Sequence, residues 1–161
     1  IFMASIFPSN AYAGYFLTAY NHVYQWNQLN HFFISPYGGM MNGLYDGTKT
    51  WGEVIQQLPE NFQDLMNPEF IQAYNSGNEP ALEQALAENT LLDWTPQTPI
   101  HFFHGDADSI VPFQNVLTAM EKLTSNGATD IQMTAIPGGT HESSGPAAIF
   151  GALEWFEEFN P

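Results

Sequence analysis

Two apolar runs of strand length, set one helix apart, constrain this chain more than anything else in it. Ile100 to Phe103 reads as a buried strand, and the chain leaves it through His104-Gly105 into a loop that carries Asp108. Ile131 to Ile136 reads as a second strand and runs out in the same manner, through Gly138-Gly139 to His141. Between them Phe113, Val116 or Leu117, Met120 and Leu123 form a helical stripe closed by Asn126-Gly127. After them Pro146 opens a helix whose expected inner face is Ile149, Leu153, Phe156 and Phe159. A strand-helix-strand-helix series argues for parallel pairing with a right-handed crossover, which delivers both loops to one sheet edge. One loop then offers a carboxylate and the other an imidazole, which is what a nucleophile requires in a base and in the group that orients that base.

The run His104-Gly105-Asp106-Ala107-Asp108-Ser109-Ile110-Val111-Pro112, with the later Gly138-Gly139-Thr140-His141, resembles the C-terminal part of the α/β-hydrolase fold. There H-G-x-x-D-x-x-V-P carries the triad acid and a Gly-Gly-x-His loop the base. The resemblance implies that Asp108 accepts the Nδ1–H of His141, fixes its tautomer and stabilises the imidazolium formed during attack, with His141 as general base. Acid precedes base by 33 residues, the length of one crossover, and the order matches serine hydrolases of this fold.

Plainer readings exist for each residue. A turn aspartate often bonds only its own backbone, and a loop histidine is ordinarily surface; the spacing to His104-Gly105 and Val111-Pro112 is what favours the triad role. Asp106 competes with Asp108 as the acid and is read instead as shaping the loop through local backbone donors. His101 and His104 are three apart on a strand, so they point to opposite faces; no metal site and no cofactor is expected. His104 is expected to shape the acid loop by a structural hydrogen bond. Asp106-Ala107-Asp108-Ser109 lacks the glycine and distant glutamate of a calcium loop.

The nucleophile is missing. No G-x-S-x-G occurs, and none of Ser5, Ser9, Ser35, Ser76, Ser109, Ser125, Ser143 and Ser144 sits at the sharp strand-to-helix turn such a serine needs. The resemblance therefore implies the C-terminal portion of a serine hydrolase that cleaves ester or peptide bonds by acyl transfer. Its serine and oxyanion donors would lie upstream of residue 1, leaving this chain inactive alone. The alternative is a non-catalytic acidic binding or assembly module of hydrolase ancestry.

Ahead of the strands the pattern is helical. Asn10 to about Leu29 carries large apolar residues at helical spacing after Pro8-Ser9, and Phe32 to Gly39 reads as a turn-rich connector. Thr50-Trp51-Gly52-Glu53 has the form of a capping box, Asn67-Pro68 of a helix start, and Pro80 opens a helix to about Leu91. The stretches Leu44 to Pro59 and Ala87 to Pro96 are similar to the helical insertion of bacterial secreted-type lipase and peptidase-like α/β-hydrolases. The expected fold class is thus α/β: a helical cap or lid over residues 1–97, then a C-terminal segment, 98–161, of two parallel strands with a crossover and C-terminal helices.

Composition excludes several functions. Seventeen acidic residues face only Lys49 and Lys122, a net charge of -15, so neither nucleic acid nor an anionic membrane surface is a fitting partner. No apolar run reaches membrane-spanning length, and the lack of cysteine excludes disulfides and thiol catalysis. Residues 1–7 have no basic region and do not read as a signal peptide. Localisation stays open, with a secreted or periplasmic setting favoured by the scarcity of cations. The expected partner is a small ester or peptide substrate of the parent protein. Without central strands, the edge beside Ile100 to Phe103 is expected to make the isolated chain self-associate or dimerise. The aromatic residues concentrated in residues 1–51 read as core or bared interface, with an acyl or aromatic substrate pocket as the alternative.

Overall fold

The described residues of the computed structural model, 9–159, fall into a helical unit that ends at Glu88 and a second unit, from Asn89 on, that holds the sheet. The first unit contains α1 (Asn10–Val23), α2 (Leu29–Phe32), α3 (Tyr37–Leu44), α4 (Trp51–Ile55), α5 (Pro68–Asn75) and α6 (Pro80–Glu88). Helix α1 stops at Val23, short of the expected Leu29, because Gln25 and Asn27 take left-handed backbone at φ 55° and 56°. The Asn21 side chain then captures the returning chain, accepting the Gln28 amide at 2.7 Å. Pro8, half of the expected start signal, lies outside the described residues; Ser9 holds the N-cap position in extended backbone without a side-chain cap bond.

The expected connector over Phe32 to Gly39 is a helix from Tyr37 onward. Gly38 is inside it because α3 lies against α2: a Cβ there would meet Asn30 Oδ1 and, at 2.9 Å, both Asn30 Cα and the Leu29 carbonyl oxygen. A glycine that reads as a turn signal in sequence serves here as a site of close approach. The capping box forms as expected, with Thr50 N–H donating to Glu53 Oε2 at 2.7 Å and Glu53 N–H to Thr50 Oγ1 at 3.4 Å. Asn67 caps α5 by accepting the Glu69 amide at 3.0 Å, and Pro68 occupies its first turn. Helix α6 ends at Glu88 rather than near Leu91, where Asn89 and Thr90 follow with poor helix propensity.

Leu17, Phe32, Phe33, Met41, Leu65, Met66, Phe70 and Leu82 are almost wholly enclosed and form the core of this unit. An antiparallel bridge between Phe33 and Met66 pins its centre, with Ile34 N–H on Leu65 O at 3.0 Å and Asn67 N–H on Phe32 O at 2.9 Å. Phe32 and Phe70 meet edge to face with centroids 4.9 Å apart. Other aromatic residues stay outside the core: Tyr12, Tyr15 and Trp51 are exposed and, with Tyr45, Leu44 and Val54, line an open cavity of about 450 Å³.

In the second unit β1 (Ile100–Gly105) and β2 (Ile131–Ile136) pair in parallel, Ile100 opposite Ile131 through Gly105 opposite Ile136. Helix α7 (Gln114–Ser125) is the crossover and α8 (Ser144–Glu157) follows β2. The α/β class expected from the sequence is the one found. Strand β1 is half-buried rather than buried, since the sheet has only two strands among the described residues. Val116, not Leu117, takes the inward position on α7 with Leu123.

Helix α8 reverses its expected orientation. Ile149, Phe150, Leu153 and Phe156 face outward, as does Phe159 just past the helix end, and the sheet-facing stripe runs through Gly151 and Trp155. A Cβ at Gly151 would meet a Phe103 ring carbon at 2.6 Å, and Trp155 stands edge-on to His101 with centroids 5.4 Å apart. The aromatic residues of β1 already fill the space between helix and sheet, so steric room rather than hydrophobicity selects the inner face.

Candidate active site

The two loops that leave the sheet are laced together at its C-terminal edge. Gly105 ends β1, where a Cβ would collide with the Gly139 carbonyl and Ser144 Oγ. Its neighbours then bond to the opposite loop: Asp106 N–H donates to Ile136 O at 3.2 Å and Ala107 N–H to Gly139 O at 3.1 Å. In return, Gly138 N–H donates to Asp106 Oδ1 at 2.6 Å. Gly138 has φ +66°, the left-handed backbone that a glycine supplies without strain, and Gly139 N–H closes the turn on Ile136 O at 3.0 Å.

Within this frame the Asp108 carboxylate is divided between two tasks. Its Oδ1 accepts the amides of Ile110 at 2.9 Å and Val111 at 2.8 Å, while Oδ2 accepts Nδ1–H of His141 at 2.9 Å. The side chain is 6% exposed and that of His141 47%. Burial pushes the Asp108 carboxyl up, but the Val111 amide, the His141 ring and the Ile110 amide outweigh it and hold the group below the usual carboxylate range. The acid is therefore ionised at neutral pH and can only accept, which puts the His141 proton on Nδ1 and a lone pair on Nε2 of the neutral ring. No group among the described residues hydrogen-bonds Nε2.

His104 supports the acid from behind, its Nε2–H donating to Val111 O at 2.9 Å and lying 3.7 Å from Asp108 Oδ2. The loop that carries His141 is tied down by its own hydroxyls: Thr140 N–H donates to Ser143 Oγ at 2.8 Å, and Ser144 Oγ–H to Thr140 O at 2.7 Å, at the head of α8. His141 is thus held from β2 on one side and from α8 on the other.

The structure brings Asp108 and His141 together, with His104 bonded to the acid loop as expected. Asp106 departs from expectation: its carboxylate reaches a donor 32 residues away, in the base loop, instead of local backbone. The sequence predicts that the two loops share a sheet edge, but which donor of the second loop this carboxylate reaches is set by the close approach of their backbones. His101 lies on the other face of the sheet from His104, with its Nε2 2.9 Å from Thr134 Oγ1. Also missed were the amides of Ile110 and Val111 and the Thr140-Ser143-Ser144 bonds. An aspartate two and three residues ahead of those amides is the spacing of an Asx turn and was the one available clue.

A secretory lipase family profile matches residues 60–160. Among solved structures, a candidate hydrolase from Legionella pneumophila superposes with a TM-score of 0.82 at 20% identity, over 92% of this chain and 40% of that one. The rice cell wall degrading esterase LipA from Xanthomonas oryzae superposes with a TM-score of 0.72 at 23% identity, over 86% of this chain and 38% of that one. This chain thus spans about two fifths of the length of the structures it resembles, and the likeness establishes the fold. No curated protein sequence matches the chain.

Proposed function

The chain belongs to the secretory lipase family, and on that premise we propose that Asp108 and His141 are the acid and base of a Ser-Asp-His triad that cleaves esters by acyl transfer. The observation that carries this reading is the 2.9 Å bond from His141 Nδ1 to Asp108 Oδ2, with Nε2 left to a substrate-side partner. His141 Nε2 takes the proton of an attacking serine hydroxyl, Asp108 stabilises the imidazolium so formed, and the proton passes to the departing alkoxide. Water then attacks the acyl-enzyme with the same pair acting in the same roles.

The serine and the oxyanion donors are supplied by sequence that precedes residue 1. Two observations support this: no described serine bonds His141, and the matched structures are more than twice as long as this chain. Residues 98–161 carry the acid and base, and residues 1–97 act as the cap. The family's secretory description and the scarcity of cations favour a secreted protein. Alone, the chain is inactive and pairs with itself through the open edge of β1 and the exposed apolar face of α8.

The test is esterase activity of the protein bearing its preceding sequence, measured with short and long acyl nitrophenyl esters. D108N is expected to lower kcat by about 10⁴-fold and H141A by at least as much. Full activity in H141A, or turnover by this chain alone, would overturn the reading.

A further inference from the structure

We propose that Asp106 is the positioning residue that sets the register between the acid and base loops, a role that rests on the reading of Asp108 and His141 as acid and base. Residue 106 grips the turn Ile136-Pro137-Gly138-Gly139 at two points: its amide donates to Ile136 O at 3.2 Å, and its Oδ1 accepts Gly138 N–H at 2.6 Å. The turn's own bond, Gly139 N–H to Ile136 O, leaves the Gly138 amide to this carboxylate. A charge-assisted bond to a left-handed glycine fixes both the distance and the orientation of the turn. Asp106 stands two residues before Asp108, and Gly138 three before His141. The side chain thereby spans the two loops close to the point where acid and base must meet.

The division of labour between the two carboxylates follows from their partners. Asp108 spends Oδ1 on its own loop and Oδ2 on the imidazole, and it bonds no backbone group of the base loop among the described residues. Asp106 supplies that missing hold and makes no bond to His141. The motif's two aspartates are therefore not interchangeable: one orients the ring, the other places the loop that bears it.

A displacement of the base by about 1 Å can cost up to roughly 100-fold in rate while leaving ground-state binding alone. In the protein bearing its preceding sequence, D106A is accordingly expected to lower kcat by about 10- to 100-fold with KM unchanged. D106N keeps an oxygen acceptor for Gly138 and is expected to stay within about threefold of the parent. D106E keeps the charge but misplaces the acceptor and should fall with D106A; it also serves if D106A fails to fold. Amide hydrogen exchange at Gly138 should accelerate in D106A and D106E but not in D106N, a readout independent of turnover. Parent-like kcat in D106A and D106E, or a fall in D106N as deep as theirs, overturns the positioning role. If H141A stays active the catalytic reading falls and takes this role with it, whereas a dead H141A beside a fully active D106A sinks the positioning role only.

Discussion

Val111 closes a circuit around Asp108: its amide donates to Oδ1 of the carboxylate at 2.8 Å, and its carbonyl takes Nε2–H of His104 at 2.9 Å. The acid is therefore held by its own loop independently of the base, and its two oxygens should be separable by mutation. D108N retains an oxygen for the Ile110 and Val111 amides, whereas D108A leaves both without an acceptor. D108A is expected to be less stable than D108N by about 1–3 kcal/mol, with esterase activity lost in both. Thermal unfolding of the two variants side by side measures the difference; equal stability would contradict the circuit.

The same bonds set an acid sensitivity. Asp108 titrates below its ordinary value of 3.8 in the folded chain, so as pH falls the unfolded chain binds the proton first. The stabilisation is complete above the unfolded value and is lost as pH drops from about 4 through the folded value. Urea midpoints of the parent and D108N should differ at pH 6 and converge toward pH 2. A gap that stays constant over that range would show that Asp108 contributes nothing through its ionisation.

Gly105 is predicted to tolerate no side chain. A Cβ would overlap the Gly139 carbonyl oxygen and Ser144 Oγ, and it would meet the Gly139 carbonyl carbon at 2.6 Å. Backbone cannot swing aside as a flexible side chain does, so G105A should push the base loop outward and cost about 1–3 kcal/mol. Loss of activity should exceed what the loss of stability explains. A crystal structure of G105A with the Asp108–His141 bond intact would count against the close-packed junction.

Helix α8 presents Ile149, Phe150, Leu153 and Phe156 to solvent at 56–67% exposure. So many large apolar groups on one face should drive association of the isolated chain. Sedimentation velocity is expected to show dimers or larger species, shifting toward monomer in a variant with Phe150 and Leu153 both replaced by glutamine. A monomer at high concentration without those changes would refute it.

Thr50 offers a control within the helical unit. Its hydroxyl accepts the Glu53 amide at 3.4 Å and its own amide donates to Glu53 Oε2 at 2.7 Å. T50A is expected to cost about 0.5–2 kcal/mol in chemical denaturation while leaving the Asp108–His141 pair untouched.

Local rules carried far in this chain because several of its signals depend only on neighbours in sequence. The Thr50 capping box and the Asn67-Pro68 start follow from side chains bonding within a few residues, the two strands from short apolar runs, and their parallel pairing from the helix between them. That the loops of Asp108 and His141 share an edge was legible for the same reason, since a parallel pair one helix apart releases both loops at one edge; the choice of Asp108 over Asp106 came from the resemblance.

What sequence could not carry was anything set by close approach of distant backbone. Gly38 reads as a turn and is a helix-packing position; Asp106 reads as a local bond and reaches Gly138; the large residues of α8 read as its inner face and lie outside. In each case the deciding quantity is the space left between two elements, which belongs to neither segment's sequence. The order of the residues determined which groups meet at the sheet edge, and tertiary packing alone decided what holds them there.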